Sequence, residues 1–359
     1  MPRPLRFGVV GLRAGRGGAH AVKRYGGDEL RLTAVCDRDA EHLARVASKL
    51  SDGVQAFEDF DAMLASGLDA VYIATPPAVH AEMSIRALEA GCHVHVEKPM
   101  ATSPDDAQRM VDTAERCDRR LSVGFELRGS PLVARIRQAV DAGEVGAIRA
   151  LTLIHSRGAW HQTPWRRTQE GTGGFLAECT IHEIDLFRLF GGEVTRCRVV
   201  TAPASMPFYE DLPSQVNVVM DFDTGAQATL LVQHNVAATF QGDPLAAKPT
   251  DEALRRAGHW KLLSIAGDRG AIVWDFWTDD LVFQRYVEDP PAVRTVRRED
   301  LSVMPRGKLC HDMGAYVLDF ARRVARGQPA AQTADDALRT HLATWEMDRQ
   351  IAEQMRQRS

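Results

Sequence analysis

Short apolar segments alternate with helical patterns along the first third of the chain. The segments are RFGVVG (6–11), RLTAVCD (31–37), DAVYIAT (69–75), CHVHVEKP (92–99) and LSVGF (121–125). Helices are predicted between them at 40–50, 58–66, 78–90 and 104–117. This alternation is typical of βαβ units on a parallel sheet. We therefore predict an α/β protein whose N-terminal Rossmann domain, residues 1–125, has a doubly wound parallel sheet.

The pattern changes after about residue 125, where longer segments alternate apolar and polar residues. In SQVNVVMDFDTGAQATLLVQHN (214–235), such a segment runs into a DTG turn and a returning strand. We predict a substrate-binding and oligomerisation domain of the α+β class at 126–333, with a large open, mostly antiparallel sheet. A C-terminal helix within 334–359, opened by Thr333 and Asp336 in capping-box spacing, is expected to pack back on the assembly. Further strands are predicted at 147–157, 194–203, 259–266, 270–276, 280–287 and 292–298.

The composition agrees with two globular domains and narrows the partners. The chain has 359 residues, of which 45% are hydrophobic and 26% charged, and a net charge of −4. Because the charges of both signs are interspersed, we expect a small-molecule partner, with no nucleic acid and no membrane. The six cysteines form no C-x-x-C pair, and no leader or membrane-spanning run is visible, which predicts a cytoplasmic protein.

The stretch GVVGLRAGRGGAH (8–20) resembles a dinucleotide fingerprint, but Arg13 stands where the second glycine of G-x-G-x-x-G is expected. We interpret it as a loop with one added residue, in which Gly17 allows close helix packing. The amides of residues 12–16 would face the pyrophosphate, and Arg13 would help to neutralise it. An ordinary glycine-rich turn is the alternative. The cofactor-binding residues predicted here are Gly11, Leu12, Arg13, Ala14 and Gly15.

Asp37 ends the second predicted strand, where a carboxylate commonly accepts hydrogen bonds from the adenosine ribose and repels a 2′-phosphate. NAD is therefore favoured over NADP. Arg38 is expected to stack on adenine or to hold that phosphate, so NADP stays possible. A role for Asp37 as the cap of the 40–50 helix is the alternative and is compatible with cofactor binding.

The segment HVHVEKPM places His93, His95 and Glu97 on one face of a strand. We interpret the two histidines as structural. Lys98 follows at the carboxyl end of the strand, where open α/β sheets bind ligands. A lysine there can bind a substrate hydroxyl and stabilise the alkoxide as it forms. A surface lysine is the alternative.

In GGFLAECTIHEIDLFRLFGG (173–192), Glu178, His182 and Asp185 lie at i, i+4 and i+7, and on one helix they would share a face. The His182 imidazole is suited to take a hydroxyl proton, and the Glu178 carboxylate one turn away can orient it. Asp185 is a candidate substrate ligand. A metal site and a solvated helix face are the alternatives, and the metal lacks a fourth ligand with supporting spacing.

Just before this segment, HSRGAWHQTPWRR (155–167) is dense in tryptophan, histidine and arginine. The indoles can stack on a sugar ring or nicotinamide, and the polar side chains can bind hydroxyls or a carboxylate. A packed interdomain loop is the alternative. The candidate substrate-binding residues are Arg157, Trp160, His161, Trp165 and Arg166.

Together these motifs resemble the glucose–fructose oxidoreductase, inositol dehydrogenase and rhizopine-catabolism (Gfo/Idh/MocA) family. The resemblance covers nearly the whole chain and rests on the order and spacing of the motifs. They are GVVGLRAGRGGAH, Asp37, ATPPAVHAE (74–82), EKP (97–99), GFELRGSP (124–131) and GGFLAECTIHEID (173–185).

The resemblance implies roles residue by residue. Lys98 matches the lysine that contacts the nicotinamide ribose and the reacting hydroxyl, with a cis bond before Pro99, and Glu97 belongs to the same cofactor-binding segment. His182 matches the general acid/base, and Arg128 an arginine near the substrate. Thr75, Pro76 and His80 match the strand-end segment that lines the cofactor. The chain departs from the family pattern at Arg13, at Glu178, where an Asp is usual, and at Thr180, where a Gly is common.

The leading functional hypothesis is an NAD(P)-dependent oxidoreductase acting on a sugar, cyclitol or related polyol, assembled as a homodimer or homotetramer. One alternative is an NAD-dependent glycosidase or lyase that uses transient oxidation and elimination. A second alternative is a sugar- or nucleotide-sensing regulator without catalysis, which would not need the Lys98 and His182 pair.

Overall fold

The computed structural model describes residues 3–50, 53–158, 169–203, 213–236, 259–275, 280–301, 303 and 306–358. The contacts divide the chain into two compact units, Met1–Gly129 with His311–Leu342, and Ser130–Cys310 with Ala343–Ser359. The predicted domain boundaries at 125 and 333 stay a prediction. No sequence pattern indicated that 311–342 returns to the first unit.

The strands are β1 (Leu5–Val10), β2 (Leu30–Cys36), β3 (Gln55–Phe57), β4 (Ala70–Ile73), β5 (His93–Val96), β6 (Leu121–Val123), β7 (Ile148–Gly158), β8 (Val194–Ala202), β9 (Gln215–Phe222), β10 (Gln227–Val236), β11 (His259–Gly267), β12 (Gly270–Asp275), β13 (Asp280–Glu288) and β14 (Pro291–Asp300). The helices are α1 (Leu12–Tyr25), α2 (Ala40–Ala47), α3 (Phe60–Ala65), α4 (His80–Glu89), α5 (Pro104–Arg116), α6 (Pro131–Asp141), α7 (Gln169–Thr172), α8 (Phe175–Cys179), α9 (Ile181–Gly191), α10 (Arg306–Leu309), α11 (Met313–Ala325) and α12 (Ala334–Arg356). The predicted fold class is confirmed.

The first unit contains a parallel sheet in the order β3-β2-β1-β4-β5-β6. All residues of β4 are buried, as expected for a central strand covered on both faces. This order is that of the doubly wound dinucleotide-binding fold, and it reverses between β1 and β4. The carboxyl ends of these two strands therefore define the crevice in which such sheets bind ligands.

The helix α11 completes the core of this unit. Val317, Phe320, Ala321 and Val324 belong to one apolar cluster with Val9, Val22, Val35 and Tyr72 of the first half. The first unit is therefore built from two segments that are far apart in the sequence.

The second unit contains a sheet with eight strands among the described residues, in the order β14-β13-β12-β11-β7-β10-β9-β8. Neighbouring strands in this sheet are antiparallel, except for β7 and β10, which are parallel. One face is apolar and buried, for example at Leu153, Leu230 and Val218, and α9 packs on it. The predicted mostly antiparallel sheet is confirmed.

The second half of α12 covers the edge strand β8. The side-chain amide of Gln350 accepts a hydrogen bond from the Val199 N–H at 3.0 Å, and that of Gln354 accepts one from the Thr201 N–H at 3.0 Å. Gln354 also donates to the Val199 carbonyl at 2.7 Å. These bonds satisfy backbone N–H and C=O groups at the edge of β8, where a strand of another chain could otherwise pair.

Candidate cofactor and catalytic sites

The helix α1 begins immediately after β1. Gly11 has φ +83° and ψ 73° and precedes the first helical residue, Leu12, and the Gly15 N–H donates to the Gly11 carbonyl at 2.9 Å. The predicted loop with an added residue is therefore wrong. The glycines at 15, 17 and 18 lie inside α1, because the left-handed conformation of Gly11 alone reverses the chain.

The close packing assigned to Gly17 is made by its neighbours instead. A Cβ at Gly17 would meet nothing within 4 Å. A Cβ at Gly15 would lie 2.8 Å from Val9, and one at Gly18 would lie 3.0 Å from the Tyr72 ring. Gly15 and Gly18 face the sheet because they lie three residues apart on α1.

The Asp37 carboxylate lies at the N-terminus of α1. One oxygen accepts a hydrogen bond from the Leu12 N–H at 2.9 Å, and the other accepts one from the Asp39 N–H at 3.0 Å. The cap of α2 is Asp39, whose side chain accepts from the His42 N–H at 3.0 Å, so the capping alternative for Asp37 is wrong. The next N–H groups of α1, those of Arg13 and Ala14, have no acceptor within the helix and are suited to an anion.

The Arg13 side chain leaves the N-terminus of α1 open. It is 76% exposed, and its guanidinium pairs with the Asp39 carboxylate at 2.9 Å. Arg38 and Ala14 are also exposed. The arginine in place of the second glycine is therefore an exposed side chain paired with Asp39.

At the end of β4, Thr75 is half-buried and Pro76 is exposed, whereas His80 is fully buried. The His80 Nε2 lies 2.6 Å from the Thr75 carbonyl oxygen, and its Nδ1 lies 2.8 Å from the Pro99 carbonyl oxygen. Because carbonyl oxygens only accept, both contacts are hydrogen bonds when both ring nitrogens carry a proton. His80 thus joins the two strand-end segments.

The segment after β5 places Lys98 half-buried beside a buried carboxyl group. The predicted cis bond between Lys98 and Pro99 is confirmed. The Glu97 carboxylate accepts a hydrogen bond from the Tyr72 hydroxyl at 2.5 Å. Burial, and then the neighbouring Glu126 carboxylate, raise the pKa of Glu97 to about 7.

The two histidines of β5 are structural, as predicted. His95 is fully buried, and its ring centroid lies 5.3 Å from that of Tyr72 and 5.3 Å from that of Phe320. Its burial lowers its pKa to about 3. The His93 Nδ1 accepts a hydrogen bond from the Arg120 N–H at 2.9 Å, and burial, followed by nearby arginines, lowers the pKa of His93 to about 4.

The predicted single helix that carries Glu178, His182 and Asp185 is wrong. Glu178 lies on α8 and the other two lie on α9, because Thr180 between them has φ −143°. The Thr180 carbonyl accepts hydrogen bonds from the Glu183 and Ile184 N–H groups, which starts the second helix. Glu178 is 8% exposed and Asp185 is 1% exposed, so the solvated-face alternative is also wrong. His182 is half-buried in the first turn of α9.

Asp348 of α12 caps the helix that carries Glu178. Its buried carboxylate accepts hydrogen bonds from the Leu176 N–H at 2.8 Å and the Ala177 N–H at 3.1 Å. Gly174 is required before this helix, since it has φ +143° and a Cβ there would lie 2.0 Å from Asp348. Burial raises the pKa of Asp348 to about 7, although the backbone hydrogen bonds by themselves would lower it.

A buried ion pair lies next to His182. The Glu183 carboxylate is 2.5 Å from the Lys261 ammonium and 3.8 Å from Nδ1 of His155, and Lys261 and His155 are cross-strand neighbours on β11 and β7. Burial alone would raise the pKa of Glu183, but Lys261 and His182 outweigh it and lower the pKa. Sequence reasoning missed this pair, although a charged residue in the apolar strand HWKLLSIAG was a signal.

Arg128 pairs with Asp336 at 2.7 Å and is 15% exposed. Arg157 lies on β7 opposite His259. Trp160, His161, Trp165 and Arg166 lie outside the described residues. Among the residues that the structure describes, no group of three His, Cys, Asp or Glu side chains is arranged to hold a metal ion. No helix of the described chain is both long and apolar enough to cross a membrane.

Two family models match the chain. The model of the oxidoreductase family with an NAD-binding Rossmann fold (GFO_IDH_MocA) matches residues 5–125, and the GFO/IDH/MocA C-terminal domain matches residues 133–273. Inositol 2-dehydrogenase of Corynebacterium glutamicum (strain R) is 29% identical over 246 residues, which are 67% of this chain and 70% of that protein.

Two further relatives extend the comparison. D-glucoside 3-dehydrogenase of Escherichia coli (strain K12) is 34% identical over 185 residues, which are 51% of this chain and 52% of that protein. The structure of levoglucosan dehydrogenase in complex with NADH has a TM-score of 0.78 over 98% of both chains at 20% identity, a likeness of fold. From the two matching models and the sheet order, the chain belongs to the Gfo/Idh/MocA family of NAD-binding oxidoreductases.

Proposed function

We propose that the protein is a dehydrogenase that transfers a hydride between a carbinol carbon of a sugar, cyclitol or related polyol and NAD. The observation that carries this proposal is the Asp37 carboxylate at the N-terminus of α1, beside the point where the strand order reverses. The names of the relatives, which include inositol and glucoside dehydrogenases, support a polyol hydroxyl as the reacting group.

The residues of the first unit fit the dinucleotide. The Arg13 and Ala14 N–H groups would bind the pyrophosphate, and the Asp37 carboxylate would accept hydrogen bonds from the adenosine ribose. Arg13 and Arg38 are exposed nearby and would screen the phosphate charge or stack on adenine. A carboxylate in this place repels a 2′-phosphate, which favours NAD while NADP remains the second choice.

In the proposed reaction, His182 takes the proton of the substrate hydroxyl, and Lys98 stabilises the negative charge that forms on its oxygen. Glu178 orients the imidazole. When bound, NAD supplies the hydride acceptor. Asp185 and Arg128 are proposed to support the substrate side of the site, and so are Arg157, Trp160, His161, Trp165 and Arg166. Thr75, Pro76, His80 and Glu97 would shape the cofactor side.

The first experiment is a cofactor-reduction screen of sugars, inositols and their acids with NAD and NADP in parallel. On the best substrate, Lys98→Met and His182→Ala are expected to lower kcat by about 10³-fold or more, because each removes a charge-stabilising or proton-accepting group. NAD binding, measured by calorimetry, should stay within a few-fold of wild type.

Wild-type rates in either variant would remove that residue from the mechanism. Loss of the aglycone from a glycoside without NADH accumulation would indicate the oxidation and elimination chemistry instead. If calorimetry detects no NAD(H) binding, the alternative of a non-catalytic, sugar- or nucleotide-sensing regulator is favoured.

We also infer a homodimer or homotetramer formed through the outer face of the second sheet. Val200 and Val219 are 55% and 45% exposed there, on neighbouring strands. Val219→Glu should shift the mass measured by light scattering towards the monomer, because a charge buried against a second copy is costly. An unchanged mass would exclude this face. The six cysteines of the sequence, none of them in a C-x-x-C pair, support a reducing compartment such as the cytoplasm.

A further inference from the structure

Two buried histidines from distant parts of the chain bind the two polar ends of one peptide group, the one that joins Pro99 and Met100. The carbonyl of Pro99 is contacted by His80 Nδ1 at 2.8 Å. The N–H of Met100, which belongs to the same peptide group, donates a hydrogen bond to His341 Nε2 at 2.9 Å. Both imidazoles are fully buried. The backbone is therefore held from both sides one residue beyond the proposed catalytic lysine.

The contacts of His341 determine which of its nitrogens carries the proton. Its Nδ1 lies 2.8 Å from the Ala337 carbonyl oxygen, one turn earlier in α12. Because that oxygen only accepts, Nδ1 must donate, and Nε2 is then free of a proton and accepts from Met100. The ring also packs against Phe125, with the centroids 5.4 Å apart. His341 is thus a rigid acceptor for the Met100 N–H.

These contacts hold a segment that the sheet does not hold. It follows the last residue of β5 and has left the hydrogen-bond ladder of the sheet. Because the Lys98 side chain has a fixed reach, a displacement of its Cα changes the positions and the torsion angles from which the ammonium group can contact a substrate. Misplacing a reacting group by about 1 Å can cost about 10²-fold in rate.

We propose that His341 is a positioning residue for Lys98, and that it acts by holding the Pro99–Met100 peptide group against His80. This inference rests on the proposed role of Lys98 in hydride transfer. His341 itself touches neither substrate nor cofactor in this proposal. It acts through the backbone of the Lys98 segment.

Two amide variants separate the hydrogen bond to Met100 from the ring. The amide of glutamine reaches the place of Nε2, so His341→Gln retains an acceptor for the Met100 N–H. The amide of asparagine reaches only the place of Nδ1, so His341→Asn keeps the bond to Ala337 and loses the one to Met100. Both variants lose the ring contact with Phe125, which makes them matched controls for each other.

We expect His341→Asn to lower kcat by about tenfold or more, with the KM for NAD within about twofold of wild type. His341→Gln should keep kcat within about threefold of wild type. Amide hydrogen exchange at Met100 should be faster in the asparagine variant and protected in the glutamine variant. Leu338→Ala, a buried change on the same helix, should lower Tm without this loss of kcat.

Equal kcat values and equal Met100 exchange in the two His341 variants would overturn the proposal. If His341→Asn does not fold, His341→Leu, which removes both hydrogen bonds of the ring nitrogens, is compared with His341→Gln under the same expectations. Full activity of Lys98→Met would contradict the proposed function alone, since the exchange measurement tests the backbone contact without reference to catalysis.

Discussion

Asp37 uses both of its carboxylate oxygens on backbone N–H groups, at Leu12 and at Asp39. It holds the start of α1, and in the proposed function it also places a negative charge where the adenosine ribose would bind. The sequence predicted that Asp37 and Lys98 follow strands and that His182 lies in a helical segment, and the structure agrees. Their roles in binding and catalysis stay predictions.

Asp37→Ser should lower the ratio of kcat/KM for NAD to that for NADP by on the order of tenfold, or about 1.4 kcal/mol. The reason is the loss of the charge that repels a 2′-phosphate. Initial rates with both cofactors test it, with Arg38→Ala in the Asp37→Ser background as the companion variant. A ratio that does not move would show that this carboxylate does not select the cofactor.

Other residues could not be found from the sequence because their partners are distant along the chain. His341 contacts Met100 across 241 positions, and Asp348 contacts Leu176 across 172. Neither His341 nor Asp348 lies at a spacing from nearby residues that would indicate its contact. The buried pair of Glu183 and Lys261 is of the same kind, since its members are brought together by the packing of α9 on the sheet.

Among the elements, α1 and the α8–α9 pair are where pattern and structure differ. A glycine-rich stretch was interpreted as a loop, but its glycines are on a helix where two of them allow contact with the sheet. A spacing of i, i+4, i+7 was interpreted as one helix, but the backbone of Thr180 divides it. In each case the backbone conformation of one residue, Gly11 or Thr180, sets the element boundary, and the spacing of the neighbouring residues does not show it.

Gly11→Ala and Gly17→Ala make a matched pair at the start of α1. At Gly11, φ is +83° and a Cβ would lie 2.5 Å from the Ala74 carbonyl oxygen, so alanine should destabilise the chain by about 1–3 kcal/mol and abolish NAD binding. At Gly17 a Cβ meets nothing within 4 Å. There, alanine should stabilise α1 by up to about 1 kcal/mol. Urea unfolding and NAD titration measure both, and equal behaviour of the two variants would contradict this account of the turn.

For the whole molecule, the strand alternation and the period-two pattern predicted both sheets, and α12 lies within the range 334–359 predicted for it. The helices α6 and α11 were missed. The Thr333 hydroxyl accepts a hydrogen bond from the Asp336 N–H at 3.1 Å, as the capping-box spacing indicated. What a single sequence could not provide was the membership of 311–342 in the first unit, because its apolar residues fit a helix packed on either unit.

Acid should destabilise the protein through its buried histidines. In the unfolded chain a histidine has a pKa near 6.5, whereas burial lowers the pKa of His95 to about 3. The unfolded state therefore binds the proton more tightly, and the contribution of His95 is complete above pH 6.5 and lost as the pH falls towards 3. At pH 5 the loss is about 2 kcal/mol. Glu97 and Asp348 have the opposite effect on stability. Burial raises their pKa values to about 7, so the folded state binds these protons more tightly, and their contribution to stability is lost as the pH rises.

His95→Phe isolates the histidine effect, because the ring lies among Tyr72, Tyr316 and Phe320 and a phenyl group is of similar size. The change in the free energy of unfolding in urea between pH 7 and pH 5 should favour the folded state by about 2 kcal/mol more in this variant than in wild type. The same pH dependence in both proteins would mean that His95 is protonated in the folded state or already neutral in the unfolded one.

The placement of α11 in the core of the first unit has a consequence during synthesis. Val317, Phe320 and Val324 follow the end of β6 by about 190 to 200 positions, so Val9, Val35 and Tyr72 are synthesised long before the residues of α11 that pack on them. The nascent chain must therefore keep an incomplete nucleotide-binding fold, with part of its apolar surface open to chaperones, while the whole second sheet is made.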